Sequence, residues 1–285
     1  MTAPPLAGRC IAVLEHRELD RLGGMLEAQG ARTLLVPLVA IADAPDPVPV
    51  LAWLVRFVER APDDLVLMTG EGLRRLQGFA ARSGQGAAFR AALGRVRTIT
   101  RGPKPARALR DIGLVPGLRA ERPTTDGVIA ALGRDDQPGL RGRRVGVQLY
   151  PEAPQTLVDF LAASGAAPDP VSPYAYVPSV DDAAILRLIG ELAGGRVDAI
   201  AFTSTPQATR LFAAAAAAGV SAQLDAALRR TAIAAVGPVV AGELERRGHR
   251  VRIMPQDSYF MKPLVWAIVA ALSRGGLAPM QPASE

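Results

Sequence analysis

Asp64-Leu65-Val66-Leu67-Met68-Thr69-Gly70 and Asp198-Ala199-Ile200-Ala201-Phe202-Thr203-Ser204 are two versions of one phrase, 134 positions apart (64 to 198). Each is a short apolar run that opens on Asp and closes on Thr followed by Gly or Ser. The repeat extends in both directions. Leu6-Ala7-Gly8-Arg9, ahead of the apolar run Cys10 to Leu14, recurs as Leu140-Arg141-Gly142-Arg143 ahead of Arg144 to Leu149. Val96 to Gly102, then Pro103, recurs as Thr231 to Gly237, then Pro238. Three matches in one order at nearly one spacing mark a duplication. The spacing lies far above the roughly 20–50 residues of a solenoid repeat. It predicts two similar domains of about 130 residues each, within the usual domain range.

Each copy alternates short apolar runs with amphipathic stretches. In the second copy the pattern predicts strands at Val145–Tyr150, Asp198–Thr203, Ala232–Val236 and Val251–Met254. Helices are expected at Pro154–Ala163, Pro206–Ala218, Pro238–Arg247 and Tyr259–Leu272. Continuously apolar strands between helices predict parallel sheets covered on both faces, an α/β architecture of the flavodoxin or Rossmann kind. Leu34–Ile41 and Val171–Val177 depart from this pattern. Each follows a helix ending at glycine (Gly30, Gly165), and prolines lie in or beside each (Pro37, Pro45; Pro170, Pro173, Pro178). Proline inside a run argues against a central strand, so both read as stiff extended connectors, a paired hinge.

Composition narrows the functional classes. The chain has 285 residues, 49% of them hydrophobic, enough for real cores. Its net charge of +6 attracts anions without naming one. Nearly all the cations are Arg, scattered, with Lys104 and Lys262 the only lysines. No basic groove with interleaved aromatics is visible, so no nucleic-acid partner is expected. A single cysteine, Cys10, permits no intrachain disulfide. His16 and His249 stand far apart, with no C-x-x-C or H-E-x-x-H, so no metal site is expected. No apolar run reaches the roughly 18 residues of a membrane-spanning helix. Residues 1–9 lack a basic-then-apolar leader pattern, so a cytoplasmic protein and no membrane partner are expected.

In parallel α/β domains, ligands sit at the carboxyl ends of strands, where helices begin. Four such turns stand out here. They are Thr69-Gly70-Glu71-Gly72, Arg101-Gly102-Pro103-Lys104, Thr203-Ser204-Thr205-Pro206 and Val236-Gly237-Pro238. Gly and Ser let backbone approach a ligand, and Pro presets the first helical turn. Exposed N–H groups and the helix dipole then favour a carboxylate or phosphate. Taken singly, each turn is an ordinary helix N-cap. Four at repeat-related positions make an anion-binding cleft between the domains the better reading. None carries a phosphate-loop or dinucleotide motif, so no nucleotide cofactor is expected. Asp181–Asp182 reads as a helix-start pair serving the dipole. No nucleophile–base pair appears. Tyr174, in Ser172-Pro173-Tyr174-Ala175-Tyr176, sits in the second connector. It either packs between domains or donates its O–H to a leaving oxygen. Tyr150 is a weaker candidate for the same task.

Over residues 8–272 the ordered landmarks resemble the uroporphyrinogen-III synthase family. The matching segments are Met68 to Leu73, Thr100 to Leu109, Val147-Gln148-Leu149-Tyr150, Pro173-Tyr174 with Val177-Pro178, Asp198 to Ser204, and Ala235 to Pro238. The resemblance implies two parallel-sheet α/β lobes joined by a two-stranded β-ladder. One lobe is discontinuous, 1–39 with 179–285; the other is 44–171; 40–43 and 172–178 are the connectors. It implies a monomer without cofactor acting on hydroxymethylbilane, a linear tetrapyrrole with many carboxylates. The enzyme removes its terminal hydroxyl as water, inverts the last pyrrole through a spiro intermediate and closes the ring. Tyr174 matches the family's candidate proton donor. The implied substrate-binding residues are Thr69, Gly70, Arg101, Gly102, Lys104, Thr203, Ser204, Thr205, Gly237 and Pro238. Many members carry Thr-Arg after the first strand, where this chain has Leu14-Glu15, and Thr-Ala where it has Val240-Ala241. Both changes remove polar groups from the expected cleft. A tetrapyrrole-sensing regulator on the same scaffold is the alternative, with a two-lobed binding protein behind it.

Overall fold

The computed structural model describes residues 3–134 and 136–273. The chain opens with β1 (Cys10–Val13), α1 (Leu19–Glu27), β2 (Arg32–Leu35) and β3 (Val39–Asp43). Then come α2 (Val48–Glu59), β4 (Asp64–Leu67), α3 (Gly70–Arg82), α4 (Gly86–Leu93), β5 (Arg97–Thr100), α5 (Pro103–Arg110), β6 (Leu118–Arg119) and α6 (Thr125–Leu132). The duplicated half begins with β7 (Arg144–Gln148), α7 (Thr156–Ala163), β8 (Ala167–Val171), β9 (Tyr174–Pro178) and α8 (Asp182–Ala193). It ends with β10 (Ala199–Phe202), α9 (Thr205–Ala217), α10 (Ser221–Arg230), β11 (Ala232–Ala235), α11 (Pro238–Arg246) and α12 (Met261–Ser273).

The sequence repeat does not coincide with the compact units. One unit is Met1–Ala40 with Val177–Glu285, and the other is Ile41–Tyr176. Each copy of the repeat has given its first β-α-β piece to the other copy's sheet. The first unit's sheet runs β11-β10-β1-β2 and the second's β6-β5-β4-β7-β8, all parallel. The two orders match strand for strand. β6 pairs at Ile99↔Leu118, and an isolated bridge Ala234↔Ile253 takes its place in the first unit. The strand expected at Val251–Met254 is therefore reduced to that one bridge. β3 and β9 form a separate two-stranded sheet.

The strand interiors explain the layering. β1, β4, β10 and β11 are buried at every residue. In β4, Leu65 and Leu67 face a cluster with Trp53, Phe57 and Phe89, whereas Val66 joins Val128 and Leu161 on the opposite side. Helices thus cover both faces, as continuously apolar parallel strands demand. The first unit builds a core of aliphatic residues and alanine around Ile11, Ile200, Leu211 and Ile268, with Phe202 its one buried phenylalanine.

The proline-bearing stretches Leu34–Ile41 and Val171–Val177 hold most of β3 and β9, which pair as the expected two-stranded ladder, and their first residues close β2 and β8, the edge strands of the two parallel sheets. β8 contains Pro168 and Pro170. Ala167 N–H donates to Arg143 O across the ladder, so by the alternation of a strand residues 169 and 171 face β7 and the prolines turn their nitrogens outward. That is the one sheet position where proline costs no ladder bond. Gly30 and Gly165, which end the preceding turns, have φ of +90° and +79°, a conformation other residues rarely adopt.

At the opposite, N-terminal ends of the strands, each unit carries one ionic anchor. Asp64 accepts from Arg97 Nε at 2.5 Å and Arg143 Nε at 2.6 Å. Asp198 accepts from Arg9 Nη1 and Cys10 N–H, both at 2.8 Å. Each carboxylate belongs to one copy of the repeat and each of Arg143 and Arg9 to the other, so these anchors hold the exchange together.

Candidate functional site

In each unit the parallel strands deliver their carboxyl ends to one edge of that unit's own sheet, and two of the four turns begin helices there. Thr69, Gly102, Ser204 and Gly237 are the N-caps of α3, α5, α9 and α11. Pro103 and Pro238 occupy the first helical turns behind their glycines.

In the second unit, Thr69 is extended (φ −141°, ψ 147°) and its Oγ1 accepts from Gly72 N–H at 3.0 Å. Its own N–H donates to Gln148 Oε1 at 3.0 Å, and Gln148 Nε2 donates to Leu149 O. Gln148 is fully buried and props the turn from the neighbouring strand. The Tyr174 hydroxyl lies 3.2 Å from Thr69 Oγ1. Tyr174 is buried, and burial pushes its phenol above the ordinary tyrosine range, against the Thr69 hydrogen bond. Burial and the neighbouring Tyr174 push Tyr176 higher still. The two rings meet edge to face, 5.7 Å between centroids. The Arg101 guanidinium stands over the Tyr150 ring at 5.1 Å. Gly102 is buried, and a side chain there would stand 2.8 Å from Pro123 Cβ. Lys104 is exposed on the first turn of α5. Its carbonyl leaves no room for a Cβ on buried Gly70, so α3 and α5 start in close contact. This unit therefore assembles Thr69, Gly70, Arg101, Gly102, Lys104 and Tyr174 at one end of one sheet.

Gly72 has a similar constraint. A Cβ there would overlap the Gln148 carboxamide. Gly72→Ala should push Gln148 off the Thr69 N–H and lower stability by about 1–3 kcal/mol in urea unfolding. Gly78→Ala, later in the same helix, meets only the flexible tip of Arg82. It should instead stabilise by up to about 1 kcal/mol, which separates crowding from helix propensity. Equal effects at the two positions would remove Gln148 as the cause.

In the first unit, Thr203 N–H donates to Gln207 Oε1 at 2.8 Å and Ser204 N–H to the same oxygen at 3.3 Å. Gln207 Nε2 donates to Thr203 Oγ1 at 2.8 Å, and Thr203 Oγ1 donates to the Glu15 carboxylate. Thr205 begins α9. Gly237 is extended, and a Cβ on it would stand 2.9 Å from the Tyr259 ring. Pro238 is exposed and Val240 and Ala241 are buried. The first unit brings Thr203, Ser204, Thr205, Gly237 and Pro238 to its sheet's carboxyl edge together with Glu15.

Three participants were not picked out as site residues. Gln148 interrupts an apolar strand, a visible signal for a buried polar group. Gln207 does the same work from one helical turn onward, where Ser204-Thr205-Pro206-Gln207 has the Ser-x-x-Gln spacing of a capping box. Glu15 reaches Thr203 only because β1 lies beside β10. Elsewhere, Cys10 is buried and burial pushes its thiol up, as suits a core residue. Buried His249 pairs with Asp225 at 3.0 Å and stacks on Phe212, away from any site. Asp181 caps α8 through Ala184 N–H at 2.8 Å. Among the described residues no acidic, His or Cys group of three could hold a metal ion, and no helix is long and apolar enough to cross a membrane.

The chain is similar to known proteins in sequence and in fold. The uncharacterized Bacillus subtilis protein YjjA is 31% identical over 258 residues, covering 88% of this chain and 92% of that protein. A crystal structure of a mutant uroporphyrinogen III synthase from Thermus thermophilus superposes with a TM-score of 0.73 at 28% identity, covering 93% of this chain and 99% of that one. Uroporphyrinogen-III synthetase from Helicobacter pylori, 12% identical with a TM-score of 0.51 and coverage of 92% and 99%, shares the fold. The family model for uroporphyrinogen-III synthase HemD matches residues 20–265, and the chain belongs to that family.

Proposed function

We propose that this protein is a uroporphyrinogen-III synthase, converting hydroxymethylbilane into uroporphyrinogen III with loss of one water and inversion of the last pyrrole. The observation that carries the reading is the Tyr174 phenol held 3.2 Å from the Thr69 hydroxyl at the start of α3, in a chain of this family. The chemistry asks for little more. The terminal hydroxymethyl group leaves as water when an O–H gives it a proton, and the adjacent pyrrole nitrogen supplies the electron pair. The last pyrrole attacks the cation so formed through its substituted carbon, which gives the spiro intermediate. In the spiro intermediate the bond from that carbon to its original bridging methylene breaks, the methylene cation so released is attacked by the free α-carbon of the same ring, and loss of that carbon's proton restores aromaticity in the inverted, closed product. No protein nucleophile enters, so the protein's task is orientation and stabilisation of charge.

Arg101, Lys104 and the N–H groups at the starts of α3 and α5 suit the substrate's carboxylates, as helix N-termini favour anions. Thr203, Ser204, Thr205, Gly237 and Pro238 offer a second set of turns of the same kind. Tyr174 carries its proton at neutral pH as an ordinary phenol does, the state a proton donor needs, and burial shifts it further in that direction.

The purified protein, given hydroxymethylbilane with no metal or nucleotide added, should yield the type III isomer, resolved chromatographically after oxidation to the porphyrins. Type I product at the spontaneous rate would overturn the reading and leave a tetrapyrrole-binding regulator in its place.

A further inference from the structure

The repeat gives the two units the same turn with opposite hydrogen-bonding partners. Thr69 and Thr203 occupy equivalent positions, and each N–H donates to a glutamine carboxamide, at 3.0 and 2.8 Å. The side chain facing the threonine hydroxyl differs. In the second unit it is the Tyr174 phenol. In the first it is the Glu15 carboxylate, which accepts from Thr203 and, on its other oxygen, from Arg17 N–H at 3.2 Å. Glu15 is half-buried. An ionised carboxylate is an acceptor only, with about four lone-pair sites, and these two bonds leave acceptor capacity over.

A fixed carboxylate at this edge is unsuited to a substrate carboxylate, because like charges side by side disfavour one another. It suits an N–H donor. Apart from its terminal hydroxyl, a linear tetrapyrrole carries its neutral donors on the pyrrole nitrogens. Resting on the function proposed above, we propose that Glu15 reads the substrate: its carboxylate accepts a pyrrole N–H at the carboxyl edge of the first unit's sheet. Glu15 then distinguishes the ring edge from the acidic side chains and helps set which face of the pyrrole is presented.

The test compares wild type and Glu15→Gln on two ligands of different kinds. Glutamine keeps an acceptor for the Thr203 hydroxyl, so the melting temperature should hold. KM for hydroxymethylbilane should rise about tenfold, the loss of roughly one charge-assisted hydrogen bond, with kcat changed less. Affinity for benzenehexacarboxylate, a polyanion without an N–H, should instead tighten, since a repelling charge is gone. Opposite signs on the two ligands support the proposal. Tightening of both would make Glu15 a simple electrostatic gate, and no change in either would make it a cap on Thr203; each overturns the proposal. A wild type that forms no type III isomer is a separate failure, of the function itself.

Discussion

Tyr174→Phe should lower kcat for hydroxymethylbilane by about 100-fold while leaving KM near the wild-type value. Positioned general acids contribute roughly 10² to 10⁴ in rate. The lower end applies here because the pyrrole nitrogen already pushes the hydroxyl out, so the departing oxygen needs only part of a proton's help. An interaction made only as the bond breaks depresses kcat and kcat/KM together. The phenyl ring remains buried against Tyr176, so packing is kept. What is lost is the hydroxyl's hydrogen bonding to Thr69 and to Tyr176, worth about 1–2 kcal/mol. Rapid-quench kinetics beside a thermal melt measure both quantities. Wild-type turnover in the variant would remove Tyr174 from proton transfer and leave it as a packing residue.

Asp64→Asn should be the most damaging of the polar substitutions considered. The carboxylate is fully buried between Arg97 and Arg143, which are themselves only 20% and 26% exposed. Asparagine has nearly the same shape, so the change isolates charge. It leaves two guanidinium groups without their anion, and breaking a buried pair this way costs about 3–5 kcal/mol. For a unit of this size that lowers its melting temperature by roughly 10 °C or more. Asp198→Asn provides the comparison. Its carboxylate is 30% exposed and Arg9 is 41% exposed, so water replaces much of what is lost and the cost should be about 1 kcal/mol. Equal shifts in urea midpoint for the two variants would contradict the assignment of Asp64 as the stronger anchor.

Much of the candidate site is legible in the amino-acid sequence. Thr69, Gly102, Ser204 and Gly237 announce helix starts by residue type, because only a few side chains satisfy the free N–H groups of a first turn. Their partners are legible only in part, since Gln148 stands out in an apolar strand and Gln207 in a capping box without showing which turn each one props. Gln148 and Gln207 perform one task from a neighbouring strand and from the next helical turn, at positions the repeat does not relate. The Thr203–Glu15 contact joins residues 188 apart, and a contact of that separation leaves no local signature.

The amino-acid sequence alone determined that this chain is a duplicated α/β protein with buried parallel strands. Periodicity and burial preference are local properties that hold wherever a strand finally lies. The tertiary structure decided which sheet each strand joins. β1 and β7 both have buried apolar interiors and come from equivalent places in the repeat, so either fits beside β4 or β10 as far as local pattern goes. The choice falls to long-range pairs, Arg143 with Asp64 and Arg9 with Asp198, and to the packing of whole helices. It also decided that β8 can be a strand despite its prolines, since only an edge leaves their missing N–H groups unmissed.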